Sequence, residues 1–342
     1  MKTRVKFSTM VASLALAFGA ATANAEVSGG VVKIGVMNDM SGLYADIGGP
    51  GSVVAAKLAV EDFQKQFNPK FKIEIVSADH QNKPDVGSNV ARQWYDTDGV
   101  DAIADVPTSS VALAVSQVTR DKNKAFLATG PGSSDLTGKA CSPNTVHWLY
   151  DTWMTKNGGA TWFFLTADYA FGHALERDTA EAVKQAGGKV LGAVRHPLGT
   201  QDFSSYLLQA QASKAKVIGL ANAGGDTINS IKQAAEFGIV KGGQSLAGLL
   251  VFITDVHGLG LEKAQGLLLT ETFYWDHDDK TREWSKRFAA ANKGIYPSSD
   301  HAGVYAVILD YLKAVKEIDS DDGAKAVAQM KSRPAEDPLF GK

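Results

Sequence analysis

The chain has a single cysteine, Cys141, among 342 residues. One cysteine cannot close an internal disulfide, so stability must come from core packing. Free cysteine behaves as a small apolar residue, and Cys141 is expected to be buried rather than to act as a nucleophile. There is no excess of basic charge: the formal net charge is -2, which argues against a nucleic-acid-binding surface. Beyond the first residues there is no apolar run long enough to cross a bilayer, which takes roughly 20 residues. No G-x-G-x-x-G with a following acid is present, and no G-x-x-x-x-G-K-[ST], so neither nucleotide fingerprint applies. The seven histidines are dispersed, with no H-x-x-x-H or H-E-x-x-H pair for zinc. No G-x-S-x-G elbow occurs. "WDHDDK" is acidic, but its position before a helical pattern makes it a cap for a helix beginning near Lys280. No metal or cofactor is expected.

What is present begins with an export signal. "MKTRVKFSTM" carries Lys2, Arg4 and Lys6 and no acid. "VASLALAFGAATANA" is short, apolar and small, ending in Ala23-Asn24-Ala25. A basic start, a short apolar segment and an A-x-A end define a secretory leader, with cleavage expected after Ala25. Removing its three positive charges takes the net charge from -2 to -5.

The rest is 44% hydrophobic over the whole chain and 21% charged, the balance of a globular protein. Apolar runs alternate with amphipathic ones. "VVKIGVMN", "FKIEIVSAD", "DAIADV" and "AFLATG" read as strands. Between them, "GSVVAAKLAVEDFQKQF", "PDVGSNVARQWYDTDG" and "SSVALAVSQVTRDKN" read as helices, the first with Ala55, Leu58, Ala59 and Phe63 at helical spacing. After a loop, "PGSSDLTGKACSPN", the pattern restarts. "TWFFLT", "KVLGAVRH", "KVIGLAN" and "LAGLLVFIT" are strands separated by three more helices. Two separate α/β series predict two lobes, each a mainly parallel sheet with helices on its faces. "QGLLLTETFYW" then reads as a strand, and "KTREWSKRFAAANKG" and "HAGVYAVILDYLKAVKEI" as helices. They are too few for a third domain and are expected to complete the first lobe.

Small polar residues recur where strands end. Thr108, Ser109 and Ser110 follow "DAIADVP". Thr129, Gly130, Gly132, Ser133 and Ser134 follow "AFLA". Asn222, Gly224, Gly225 and Asp226 follow "KVIGLA", and Thr254 and Asp255 follow "LLVFI". Open parallel sheets bind ligands beyond the carboxyl ends of their strands, and free N–H groups at helix starts favour a carboxylate. Ordinary N-capping explains one such loop. Four of them across two lobes point to a cleft that grips a small polar molecule.

"VKIGVMNDMSGLYADIGGPG", "VSADHQNKPDVGSNVARQWYDTDGVDAI", "TSSVALAVS" and "LTADYAFG" together resemble the extracytoplasmic solute-binding proteins of branched-chain-amino-acid-type ABC transporters, over nearly the whole of Val31 to Lys342. The resemblance implies a type I periplasmic-binding-protein fold. The lobes would comprise residues 26–145 and 272–333 for the first and 146–271 for the second, with 334–342 starting a return to the second lobe. It implies a monomer that closes on a small ligand and docks on a membrane permease, without catalysis. It assigns Ser41 and Tyr44 to the first wall of the cleft, Thr108 and Ser109 to a ligand carboxylate, and Thr129, Gly130 and Ser133 to the adjoining loop. From the second lobe it assigns Tyr169 and Phe171 as a lid, with Asn222, Asp226 and Asp255 near the strand ends. The acid that pairs a ligand ammonium in this family falls at Thr254–Asp255. An amino acid is the expected ligand, with an aromatic carboxylate or small amide as the alternative. A ligand sensor and a secreted α/β enzyme are the rival classes. Two departures stand out. "DTWMTKNGGA" is short for the first helix of the second lobe, and the chain stops at "DPLFGK" where relatives continue, as expected of a truncated sequence.

Overall fold

A computed structural model of the chain describes residues 26–150, 161–260 and 271–342, together with 262–264, 267 and 269. The expected leader, residues 1–25, and the 151–160 segment lie outside the described residues. Strand β1 (Val31–Asn38) starts the first sheet. It pairs in parallel with β2 (Lys72–Asp79) on one side and β3 (Ala102–Asp105) on the other. Beyond β3 come β4 (Ala125–Ala128) and β5 (Thr145–His147), giving the order β2-β1-β3-β4-β5. The second sheet is built the same way from β6 (Thr161–Ala167), β7 (Lys189–His196), β8 (Val217–Ala221) and β9 (Ser245–Gly248), in the order β7-β6-β8-β9. Every strand pairing within the two sheets is parallel. In each sheet the connections reverse direction beside the first strand. That reversal opens a crevice at the carboxyl ends of the strands.

Both faces of the inner strands β1, β3 and β4 are largely buried, which is why they read as near-continuous apolar runs. On one face Val32, Ile34 and Val36 pack with Ala55, Ala59 and Phe63 of α1 (Gly49–Phe67) and with α9 (Ser299–Ile318). On the other, Met37, Ile103 and Phe126 meet Trp94 of α2 (Pro84–Asp96) and Val111 and Val115 of α3 (Ser109–Asp121). Helices α8 (Asp279–Ala291), α9 and α10 (Gly323–Lys331) belong to this lobe. Arg287 of α8 makes a two-pronged pair with Asp62 of α1 at 2.7 and 2.9 Å, a geometry that fixes orientation as well as charge. Helix α8 is capped by Asp278, whose carboxylate accepts from the Thr281 N–H at 2.9 Å, as the "WDHDDK" stretch predicts. The second sheet carries α4 (Ala170–Gln185), α5 (Ser204–Ala212) and α6 (Gly224–Glu236).

Four features differ from the sequence reading. The apolar run "LAGLLVFIT" is not one strand: β9 ends at Gly248 and residues Ile253–Leu259 form helix α7. Asp255, in the first turn of α7, reaches back to accept from the Phe252 N–H at 2.8 Å and so fixes a helix start within the apolar run. "QGLLLTETFYW" forms no strand among its described residues. Cys141 is exposed. Its N–H is tied to the Gly138 carbonyl at 3.1 Å in a surface turn, which leaves no core for the thiol. Finally, Leu339 and Phe340 of the 334–342 segment lie against the first lobe's core, with Phe340 beside Phe273.

Candidate functional site

The carboxyl ends of the two sheets face each other across a narrow, partly open pocket. The first lobe contributes Tyr44, Ile47, Pro107, Gly130 and Gly132. Tyr150 lies between the sheets, and Tyr169, Phe171, Ala223 and Leu250 come from the second. The cavity measures only about 10 Å³, roughly the room of one water, so a molecule of amino-acid or single-ring size enters only when the lobes part further. Directly across the mouth, the hydroxyls of Tyr44 and Tyr169 meet at 2.6 Å. Burial raises the pKa of both phenols, and of Tyr150, so all three stay neutral hydrogen-bonding groups.

The glycine-rich loop after β1 is a shaped wall and not a phosphate cradle. Asp39, 1% exposed, accepts from the Gly42 N–H at 2.8 Å, the Tyr44 N–H at 2.9 Å and the Asn82 side-chain amide at 2.6 Å. Asn82 in turn accepts from the Thr108 hydroxyl. One chain of bonds therefore sets the three loops after β1, β2 and β3 relative to one another. Tyr44 is carried into the pocket by it.

The hydroxyl residues singled out from the sequence mostly stand behind this wall. Thr108 is fully buried and engaged with Asn82. Ser109 accepts from the Ser133 N–H at 3.3 Å. The Ser133 hydroxyl accepts from the Asp135 N–H at 3.4 Å. Thr129 donates to Asp105 at 3.4 Å. Ser41 is exposed on the loop. Of the expected first-lobe residues, Tyr44 and Gly130 line the pocket, and from the second Tyr169 and Phe171 do.

Asn222 is buried beside the pocket residue Ala223. Its amide nitrogen lies 3.2 Å from the His196 ring, and its oxygen accepts from Thr227 at 2.7 Å. Asp226, in the first turn of α6, accepts from the Gly199 N–H at 3.2 Å, while its other oxygen is buried without a hydrogen-bond partner. Burial pushes its carboxyl up to about 6, and its charge is felt by both Tyr44 and Tyr169. Asp255 is pushed up to about 7 by burial. It is spent on the α7 start and lines no part of the pocket.

Sequence reasoning missed Asp39, Asn82, Pro107, Tyr150 and Leu250. Asn82 was within reach of it: "HQN" follows the end of β2, and the strand-end rule applied to that strand would have included it. Tyr150 and Leu250 carry no local signal, since each enters the pocket from an irregular stretch. Among the described residues no group of three or more His, Cys, Asp and Glu side chains could hold a metal ion.

Two parallel α/β lobes closed over a small, mostly apolar pocket define a solute-binding protein. The chain belongs to the periplasmic binding protein family, whose profile matches residues 31–342. Three solved structures illustrate the likeness. A periplasmic binding protein of Burkholderia mallei is 51% identical, covers 90% of this chain and 84% of its own, and superposes with a TM-score of 0.86. A branched-chain amino acid ABC transporter periplasmic ligand-binding protein of Burkholderia xenovorans is 39% identical, with 90% and 84% coverage and a TM-score of 0.76. An ABC-transporter solute-binding protein of R. palustris, solved with benzoate, shares the fold at 19% identity, with 91% and 88% coverage and a TM-score of 0.76.

Proposed function

We propose that the protein is exported, loses its leader after Ala25, and as a monomer delivers a small carboxylate-bearing solute to the permease of an ABC transporter. We take residues 26–145 and 272–333 as one lobe and 146–271 as the other. The observation that carries this reading is the pocket itself: it is built from both lobes and sealed by the Tyr44–Tyr169 contact. Hinge closure around a ligand is the motion such an arrangement serves. A ligand shifts the open–closed balance only by its differential affinity for the closed form.

An amino acid of the branched-chain type is the first candidate. The Burkholderia xenovorans relative carries that description. Asp226 keeps an unpartnered oxygen near the pocket mouth, and a buried ammonium requires such a counter-charge. In this reading the 130–132 backbone receives the ligand carboxylate. Thr108, Ser109, Thr129 and Ser133 hold that wall in place, and Tyr169 and Phe171 cover the side chain. The second candidate is an aromatic carboxylate. It is favoured by the four aromatic rings of the wall and by the benzoate bound to the R. palustris protein.

Thermal shift with leucine, valine, benzoate and 4-hydroxybenzoate separates the two. A ligand at 100 times its Kd adds about 2.7 kcal/mol. Calorimetry on Asp226→Asn and Asp255→Asn then locates the ammonium partner. Amino-acid binding is expected to be lost in Asp226→Asn, with any aromatic-acid binding retained. If neither substitution changes the preference, the amino-acid reading falls. Recovery of the ligand chemically altered would overturn the transport reading in favour of an enzyme.

A further inference from the structure

Behind the pocket wall two carboxyl groups face each other with no cation between them. Asp105 ends β3 and Asp300 lies in the first turn of α9; both are fully buried. Asp105 is well supplied with donors. The Asn38 side-chain amide from β1 donates to it, and Thr129 from the end of β4 donates at 3.4 Å. Asp300 is not. Neither of its oxygens meets a hydrogen-bond donor. What it faces is the Asp105 carboxyl and the hydroxyl of Thr129, and that hydroxyl is already directed at Asp105.

The remaining titratable neighbours do not supply a positive charge. The Tyr150 phenol is neutral. His301, next along α9, is held down to about 4 by burial, with one ring nitrogen 2.7 Å from the Gly48 carbonyl and the other 2.9 Å from the Ser298 N–H. The position of Asp105 is also enforced. It and Val106 take φ of 78° and 64°, a left-handed conformation that residues with a side chain rarely adopt. They precede Pro107, which lines the pocket.

Two ionised carboxylates facing each other in a dry interior are not sustainable, because like charges there cannot both be kept. A carboxylic acid donating to a carboxylate is. We infer that Asp105 and Asp300 form a buried acid pair that holds one proton at neutral pH, with Asp300 as the donor and Asp105 as the acceptor, joining the end of β3 to the start of α9 behind the ligand pocket. Burial raises both carboxyls and the charge of Asp105 raises Asp300 further.

The direction of the pH effect follows. An unfolded aspartate has released its proton above about pH 4, whereas the folded pair keeps one. Its stabilisation is therefore complete at acid pH and is lost as pH rises through the folded pKa. While the pair keeps its proton, the folding equilibrium constant falls by up to tenfold per pH unit relative to a chain without it.

The test is urea unfolding of the ligand-free full chain from pH 5 to 9, for the wild type and Asp300→Asn. The Asn amide donates permanently where the acid needs a proton. Other buried acids, among them Asp226, Asp255 and Glu271, contribute the same background to both proteins. The variant is expected to be the more stable above pH 8 and to lose the tenfold-per-unit slope. Parallel slopes would overturn the proposal. Infrared spectroscopy serves as a second reading that does not depend on Asp300→Asn folding. A protonated-carboxyl band at neutral pH that titrates away in alkali supports the pair, provided Asp105→Asn alters it. Its absence overturns it.

Discussion

Asp39 and Tyr44 show what a single residue contributes here. The carboxylate of Asp39 takes three N–H donors, two from the loop that carries Tyr44. The Tyr44 hydroxyl then makes a bond that exists only when the lobes are together. Tyr169→Phe removes that bond and little else. A neutral hydrogen bond contributes about 0.5–1.5 kcal/mol, so ligand affinity by calorimetry is expected to fall roughly two- to tenfold, with the urea midpoint of the ligand-free chain unmoved. An unchanged Kd would mean that the tyrosine pair does not hold the closed form. At this scale the sequence was legible to within a neighbour. It assigned the pocket-lining Tyr44 and Gly130 to the site, but beside Thr108, Ser109, Thr129 and Ser133, which do not line the pocket, the lining residues it did not assign are Pro107 and Gly132. Small polar residues announce a turn at a strand end. They do not say whether a hydroxyl points out to a ligand or back to a neighbouring loop, which depends on where the next strand's loop lies. Here they point back.

Helix and strand periodicity was legible wherever an element packs one regular face. Helix α1 buries Ala55, Leu58, Ala59 and Phe63 together, the spacing by which it is recognised. Legibility failed where one side chain outweighed the pattern. "LLVFI" has strand composition, yet Asp255 takes the Phe252 N–H and turns the chain into α7. The short strand β5 and helix α10 gave too few residues for a period to emerge. Junctions between elements are held as tightly as the elements themselves. A side-chain carbon on Gly172, at the start of α4, would stand 2.0 Å from the Ala167 carbonyl oxygen at the end of β6. The obstacle is backbone and cannot rotate away. Overpacking costs about 1–3 kcal/mol where side chains can yield. Gly172→Ala is therefore expected to lose about 3 kcal/mol or more by urea unfolding, and to displace Tyr169 and Phe171 with it. A loss under about 1 kcal/mol would show that this strand–helix junction is looser than its geometry implies.

At the scale of the whole molecule, two α/β series in the sequence predicted two sheets. The contact between them was invisible, because it joins residues far apart in the chain. It is more than the tyrosine pair. At the rim, Ser134 of the first lobe donates to Asp178 of α4 at 2.7 Å. Arg177, on the same helix, reaches back to the Ser134 hydroxyl at 2.9 Å and the Asp135 carboxylate at 3.3 Å. Arg177 is half exposed, so its pair with Asp135 is a surface pair, worth about 0–1 kcal/mol. Such a contact does little for either lobe alone. Its effect falls on the closed form, where a small difference is read directly as affinity. Arg177→Gln is expected to weaken ligand binding up to about fivefold through faster release, with the ligand-free folding midpoint unchanged. Salt discriminates this from a packing effect. Between low ionic strength and 1 M, where the screening length falls to about 3 Å, the wild type should lose affinity and the variant should lose less. Equal salt dependence in the two proteins would place the closing force in the pocket alone and leave the rim contact a consequence of closure.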